Sequence, residues 1–278
     1  MEKFDKYMIN KIFTVPYFDR IISENAVPDS FFKAEKATVG EAISEIYHFM
    51  DCEYRNEYFY KNTIFNQLVI ENHDLYNTAV LSELPIADSK ADFVMINGRG
   101  AVYEIKTDLD NLNRLESQIK DYFKIFCYVY VVAGQKQVHH LKVCLKDKKV
   151  GIYELTSNGK LICRKKAVYN REELSYKAMF QVLRKTEFES VLLKHFRKLP
   201  EVNSFQYYRE CEKWLGRINI QTLQKEVMKC LKARTLLPDD NKLEEKVPYE
   251  LRFYAYFSKK IKSDYRGINA LWNARIRG

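Results

Sequence analysis

The sequence predicts an α/β protein built on a mixed β-sheet flanked by helices, with a helical segment before it and a basic, all-helical lobe after it. Three observations carry that expectation. Residues 92–106 read as strand, hairpin turn and strand, and residues 101–133 as strand, helix and strand. Outside those segments the apolar residues recur mainly at helical spacing. With Gly 9 and Pro 6 among 278 residues, breakers are scarce and helix should be abundant. The organisation expected is a helical segment over 1–60, the sheet-bearing core over 61–169 and the basic helical lobe over 170–278.

In the first segment, Thr38-Val39-Gly40-Glu41 has the form of a capping box. It precedes a one-face stripe of Val39, Ala42, Ile43, Ile46 and Phe49. His48 lies beside that stripe, where a structural role is expected. A second helix is expected over Asn62 to His73, with Ile64, Phe65, Leu68 and Val69 buried; Glu71, within one turn of Leu68, could turn inward but is expected at the surface. The first strand follows over Asn77 to Ile86 and carries Glu83. The turn Ala87-Asp88-Ser89-Lys90 then leads into Asp92.

Asp92 opens an apolar run, Phe93-Val94-Met95-Ile96, that ends in Asn97-Gly98-Arg99-Gly100, a strong hairpin signal. The return run, Ala101 to Lys106, is strand-like, and its Glu104 and Lys106 leave the same face because strand side chains alternate. Charged groups on an otherwise apolar strand cost stability unless they are paired or used. The loop length decides whether Asp92 joins them. A two- or four-residue loop would pair Asp92 with Ile105, whereas an odd loop, with a glycine in the left-handed region, sets Asp92 on the face of Glu104.

Beyond Lys106, Asp108 or Asp110 could cap a helix whose stripe is Leu112, Leu115, Ile119, Phe123 and Phe126. Gln118 and Tyr122 stand one turn apart on that helix and can reach the sheet together. Cys127 to Ala133 is a buried strand, and the strand–helix–strand run implies a parallel crossover. His139-His140, taken as strand residues, would face opposite ways and supply one ligand at most. A further hairpin turns at Asn158-Gly159.

From residue 171 on, helix starts are expected at Asn170 with Glu173 and at Thr186 with Glu189, and Pro248 fits a first turn. Phe205, Tyr208, Cys211, Leu215 and Ile218 continue at helical spacing. Tyr249, Phe253, Tyr256 and Phe257 fall on one face and are expected in the core. Residues 1–170 carry 23 Lys and Arg against 23 Asp and Glu, so the net +9 sits wholly in residues 171–278. Lys259, Lys260, Lys262 and Arg266 are the expected contacts to a polyanion in that lobe.

The six cysteines form no CxxC and no close pair, which predicts reduced thiols and excludes a zinc ribbon. Charges at Asp5, Lys6 and Lys11 interrupt the first apolar residues, so no signal peptide is expected. The longest uncharged apolar stretch, Ile125 to Gln135, is too short for a bilayer. A cytoplasmic protein with no membrane partner is the expectation.

Acids on neighbouring strands, with a lysine beside them, suit metal-assisted phosphodiester hydrolysis. Hard carboxylate oxygens hold Mg²⁺ or Mn²⁺, and the ion acidifies water and polarises the phosphoryl group. Glu-x-Lys alone recurs by chance in basic proteins; its order on strand, hairpin, strand and helix is the informative part. Asp92, Glu104-Ile105-Lys106 and Gln118-x-x-x-Tyr122 in that order resemble the PD-(D/E)XK nuclease superfamily, and its RecB-like branch in particular. Ala91 stands where many members have proline. The whole chain also resembles a bacterial family of predicted nucleases, most closely over residues 60–170.

The resemblance implies a restriction-endonuclease-like core and a Mg²⁺- or Mn²⁺-dependent nuclease, acting on DNA in preference to RNA. Asp92, Glu104 and the Ile105 carbonyl would hold the ion. Lys106 would serve the attacking water, and Gln118 and Tyr122 would position the strand. Glu83 is a provisional third acid. Two rival readings stay open: a nuclease-fold module that binds nucleic acid or a partner without turnover, and a nuclease toxin or phage-defence effector restrained by a protein partner. Association into a homo-oligomer is compatible with all three.

Overall fold

The structure, a computed structural model, describes residues 5–24, 38–237, 243–258 and 265–275. They fall into two compact units, one formed by Tyr76–Thr156 and Ile162–Leu236, the other by Met1–Leu75, Ser157–Leu161 and Leu237–Gly278.

The first unit is mixed α/β. Six strands lie in the order β1 (Ala79–Ile86), β2 (Ser89–Asn97), β3 (Arg99–Lys106), β4 (Tyr128–Gly134), β5 (Gly151–Leu155) and β6 (Leu161–Lys165). β1, β2 and β3 pair antiparallel, while β3–β4 and β4–β5 pair parallel. Helix α5 (Leu115–Phe123) links β3 to β4, as the expected parallel crossover requires, and α6 (Gln135–Cys144) links β4 to β5. His139 and His140 therefore lie on a helix and are exposed, not on a strand. Val138, Leu141 and Leu145 carry the reason: their spacing sets one apolar helical stripe against the sheet.

The β2–β3 turn is odd. Asn97 pairs with Arg99, leaving Gly98 alone between them at φ 64°, and the register runs on through Phe93 with Tyr103. Only glycine takes that left-handed conformation without strain. Two residues on, Gly100 meets helix α10 (Ile220–Ala233): a Cβ there would stand 2.4 Å from Met228 Sδ. The first residues of β3 thus pack backbone against side chain on α10.

One sheet face, with Val94, Ile96, Val102, Val129, Val131 and Ile152, shares a continuous core with α5, α6, α7 (Tyr176–Val182), α8 (Lys185–Phe196), α9 (Ser204–Leu215) and α10. Each such side chain contributes roughly 1.5–3 kcal/mol on burial. The other face carries Phe93, Tyr103, Tyr130 and Tyr153 in a row, with Tyr103 and Tyr130 stacked at 5.1 Å.

Several helix starts differ from expectation. Neither Asp108 nor Asp110 caps α5; Asp110 instead accepts from Thr107 N and Oγ1, both at 2.8 Å, and closes the turn after β3. Asn170 and Glu173 bond to each other in a turn, and α7 starts later behind Ser175. Helix α8 starts at Lys185, where Glu187 accepts from Arg184 N. On α9 the expected stripe fails at its first two members, since Phe205 is 97% exposed and Tyr208 is exposed too, while Cys211 and Leu215 are buried.

The second unit is helical: α1 (Lys6–Ile12), α2 (Val15–Glu24), α3 (Val39–Glu53), α4 (Glu57–Ile64), α11 (Leu243–Lys246), α12 (Arg252–Phe257) and α13 (Arg266–Trp272). Thr38 and Glu41 form the expected capping box of α3. The helix expected over 62–73 begins earlier, behind Asn56, and passes into a π-helix over Phe65–Ile70; Glu71 follows it with an exposed side chain. Asn62 ties the N-terminal helices to the C-terminal segment: its amide donates to the Tyr249 carbonyl at 3.0 Å and accepts from Phe253 N at 3.0 Å. Of the face expected in the core, Phe253 and Tyr256 are buried and Phe257 is half-buried, whereas Tyr249 is exposed; Tyr254, off that face, is buried as well.

The units divide the chain differently from the boundaries at 60 and 169. Helices α7–α10 share the core of the sheet, because their apolar stripes cover its face, whereas residues 237–278 join the N-terminal helices. All six cysteines are unbridged. Among the described residues no helix is long and apolar enough to cross a membrane.

Candidate active site

The site begins with the register of β2 on β3. Continuing the β2–β3 register one step past Phe93 and Tyr103 sets Asp92 opposite Glu104, on one face. There the regular ladder gives way to a side chain: Ile105 N donates to Asp92 Oδ2 at 2.7 Å. In an extended strand the N–H and C=O of a residue leave on the same side. The Ile105 carbonyl thus points to the same edge as Asp92.

Glu104 is buried, at 1% exposure, and three donors hold it. Its Oε1 accepts from Lys106 Nζ at 2.8 Å and from Gln118 Nε2 at 2.6 Å, and its Oε2 from Tyr122 Oη at 2.5 Å. Gln118 closes the circuit by accepting from Lys106 Nζ at 2.9 Å. A buried carboxylate without such partners would be expelled or neutralised. Gln118 and Tyr122 reach it together because they sit one turn apart on α5, on the side of Leu115 and Ile119. Burial first, and then the charge of Glu104, pushes the Tyr122 phenol far above its ordinary range, so it stays a protonated donor at any working pH.

Tyr122→Phe removes the donor to Oε2 in a fully buried setting. The variant should lose on the order of 1–3 kcal/mol of stability, because a buried acceptor is left unpaired. Urea unfolding checks this, and an unchanged midpoint would show that Oε2 finds another partner.

Glu83 sits on β1 in the gap between the pairs Ser82–Phe93 and Leu84–Ala91, which places it opposite Asp92. Its φ is 57°, rare for a residue with a side chain and rarer inside a strand. The twist turns its carboxylate toward Asp92, and oxygens of the two acids come within 4.8 Å of each other. Lys90 pairs with Glu83, and Ser82 Oγ donates to the Asp92 carbonyl at 3.1 Å. Glu83, Asp92 and Glu104 thus stand side by side on three consecutive strands, with Lys106 beside them. The hard, anionic oxygens of Glu83 and Asp92, within 4.8 Å of each other, fit a small divalent cation whose charge would offset theirs, while both oxygens of Glu104 on the next strand are also held by Lys106, Gln118 and Tyr122.

The sequence-predicted set is therefore brought together, with Asp92, Glu104, Lys106, Gln118 and Tyr122 in one place and Glu83 next to it. Of the predicted polyanion contacts, Arg266 is exposed on α13, and Lys259, Lys260 and Lys262 lie outside the described residues. The reading of the sequence missed a basic face on α10, although Lys225, Lys229 and Lys232 recur there at one-face spacing.

Fold and site together define an α/β protein with a buried Glu104–Lys106 pair on β3 of a mixed sheet and half-buried acids beside it on β2 and β1. Residues 50–244 match the family model of bacteriophage P4 protein cII, and the chain belongs to that family. No curated protein matches the chain. No solved structure matches it either.

Proposed function

We propose that the chain is a Mg²⁺- or Mn²⁺-dependent nuclease that hydrolyses phosphodiester bonds, in DNA in preference to RNA. The observation that carries this reading is the set of contacts around Glu104, with Asp92 opposite it and Glu83 beside Asp92. Asp92, Glu104 and the Ile105 carbonyl are the ligand set, and Glu83 is its third acid. A bound divalent ion supplies an acidified water and positive charge for the scissile phosphate. Lys106 orients that water and offsets the charge that builds on phosphorus. Gln118 and Tyr122 hold Glu104 and Lys106 in place.

The basic balance of the sheet-bearing unit supports a polyanionic substrate. Residues 171–236 hold 14 Lys and Arg against 8 Asp and Glu, so most of the excess charge lies on α7–α10 and the segments around them. The direct test incubates purified protein with linear, circular, single- and double-stranded DNA and with RNA, in Mg²⁺ or Mn²⁺ against EDTA. Metal-dependent cleavage supports the reading; tight binding that never leads to cleavage, across substrates and metals, would replace it with a binding module.

Glu83 offers a sharper test, because its backbone is strained where function wants an acid. Glycine tolerates φ 57°, so Glu83→Gly should leave stability unchanged or raise it by about 1 kcal/mol, the strain relieved exceeding the entropy lost. Cleavage should fall at least tenfold in the same protein. A variant that gains stability and keeps full activity would remove Glu83 from the site.

A further inference from the structure

At the far end of β2 and β3, the hairpin turn forms one wall of a cavity about 560 Å³ in volume. Six residue steps lead from Asp92 to Gly98, a distance of about 20 Å at the usual rise. The cavity therefore belongs to a different place from the acid–lysine site. Its floor is Gly100 against Met228, the close approach that a Cβ would block.

The lining has one sign of charge. Arg99 comes from the hairpin, and Lys225, Lys229 and Lys232 come from one face of α10. No Asp or Glu is among the described residues that line it. The acid near this helix face, Glu226, already binds Lys194 through both oxygens at 2.8 Å, so its bond to Lys229 at 3.4 Å leaves positive charge in excess. Two rings complete the wall. Tyr128 is half-buried, with the Arg99 guanidinium 5.8 Å from its centroid, and Tyr169 is 48% exposed with its ring 5.6 Å from that of Tyr128. By contrast, the cavity between α5 and α6 mixes Glu116, Asp147, Glu172 and Glu173 with Lys120, Lys148 and Lys149, and favours neither sign.

Cations without acids select a phosphate, and an exposed tyrosine face selects a flat ring. The volume suits a ligand of nucleotide size. We infer that this cavity is a second, non-catalytic site for a nucleoside phosphate, with the phosphates on Arg99, Lys225, Lys229 and Lys232 and the base against Tyr169. The same chemistry arises from a free nucleotide or from a nucleotide within a strand. The inference does not rest on the proposed hydrolysis.

Calorimetry on the full chain in EDTA tests it with ATP, a single-stranded octadeoxynucleotide and inorganic tripolyphosphate as probes. EDTA excludes turnover, so a failure here is separate from a failure to cleave. ATP, the oligonucleotide or both should bind saturably, which of them binds distinguishing the two sources. Lys225 and Lys229 are exposed, so the double variant Lys225→Glu/Lys229→Glu should fold normally and lose at least tenfold in affinity. Tyr169→Ala should lose roughly fivefold or more for the nucleotide probes and nothing for tripolyphosphate, since base stacking alone is removed. Asp92→Asn should bind as wild type does. Absence of saturable binding by both nucleotide probes would overturn the site. Affinity unchanged by the lysine reversals would overturn it as well, and tripolyphosphate binding as tightly as ATP would overturn the nucleoside assignment.

Discussion

Lys106→Ala should reduce Mg²⁺-dependent cleavage of a labelled duplex by about a hundredfold or more while leaving the protein folded and able to bind nucleic acid. The magnitude is what one electrostatic contact to a developing charge typically contributes in a site closed to water. Lys106 is 8% exposed, and its ammonium bonds to both Glu104 and Gln118. Without it, Glu104 keeps Gln118 Nε2 at 2.6 Å and Tyr122 Oη at 2.5 Å, so the acid should hold its position. A circular-dichroism melt on the same preparation separates lost chemistry from lost fold. Equal cleavage by wild type and variant would assign the activity to another site or to a contaminant.

The strand-to-helix run from Asp92 to Tyr122 was legible because its periodicity changes sharply. Alternation along β3 fixes the common face of Glu104 and Lys106, and one helical turn fixes Gln118 against Tyr122. The odd turn at Gly98 followed from requiring Asp92 to share that face. What remained hidden depends on tertiary packing. The left-handed backbone of Glu83 has no local signature, since glutamate seldom adopts it without a surrounding structure that imposes it. The partition of the chain was hidden for a related reason. An apolar stripe on α9 or α10 shows that a helix is covered but not by what, and the covering surface is the sheet face rather than a separate lobe. His139 and His140 were misplaced because a short run of polar residues hid the stripe of Val138, Leu141 and Leu145. The cavity at the hairpin joins a turn to a helix more than 120 residues away, a proximity no sequence spacing records.

Asp92→Asn should abolish metal-dependent cleavage and weaken Mn²⁺ binding at least tenfold, with fold and nucleic-acid affinity in EDTA unchanged. The substitution is nearly isosteric, and an asparagine oxygen can still accept from Ile105 N, so the end of the β2–β3 ladder should persist. What is lost is one negative charge facing Glu83 and Glu104, and cation affinity in an oxygen site depends on the number of charged ligands. The direction of the stability change adds a second readout. In the metal-free protein the crowded carboxylates repel one another, and removing one charge relieves part of that repulsion. The variant should therefore melt at or above the wild-type temperature in EDTA, yet gain less than wild type when Mn²⁺ is added, because a ligand stabilises only in proportion to its binding. A variant stabilised by Mn²⁺ as much as wild type would show that Asp92 is not a ligand and that the cation, if bound, sits elsewhere.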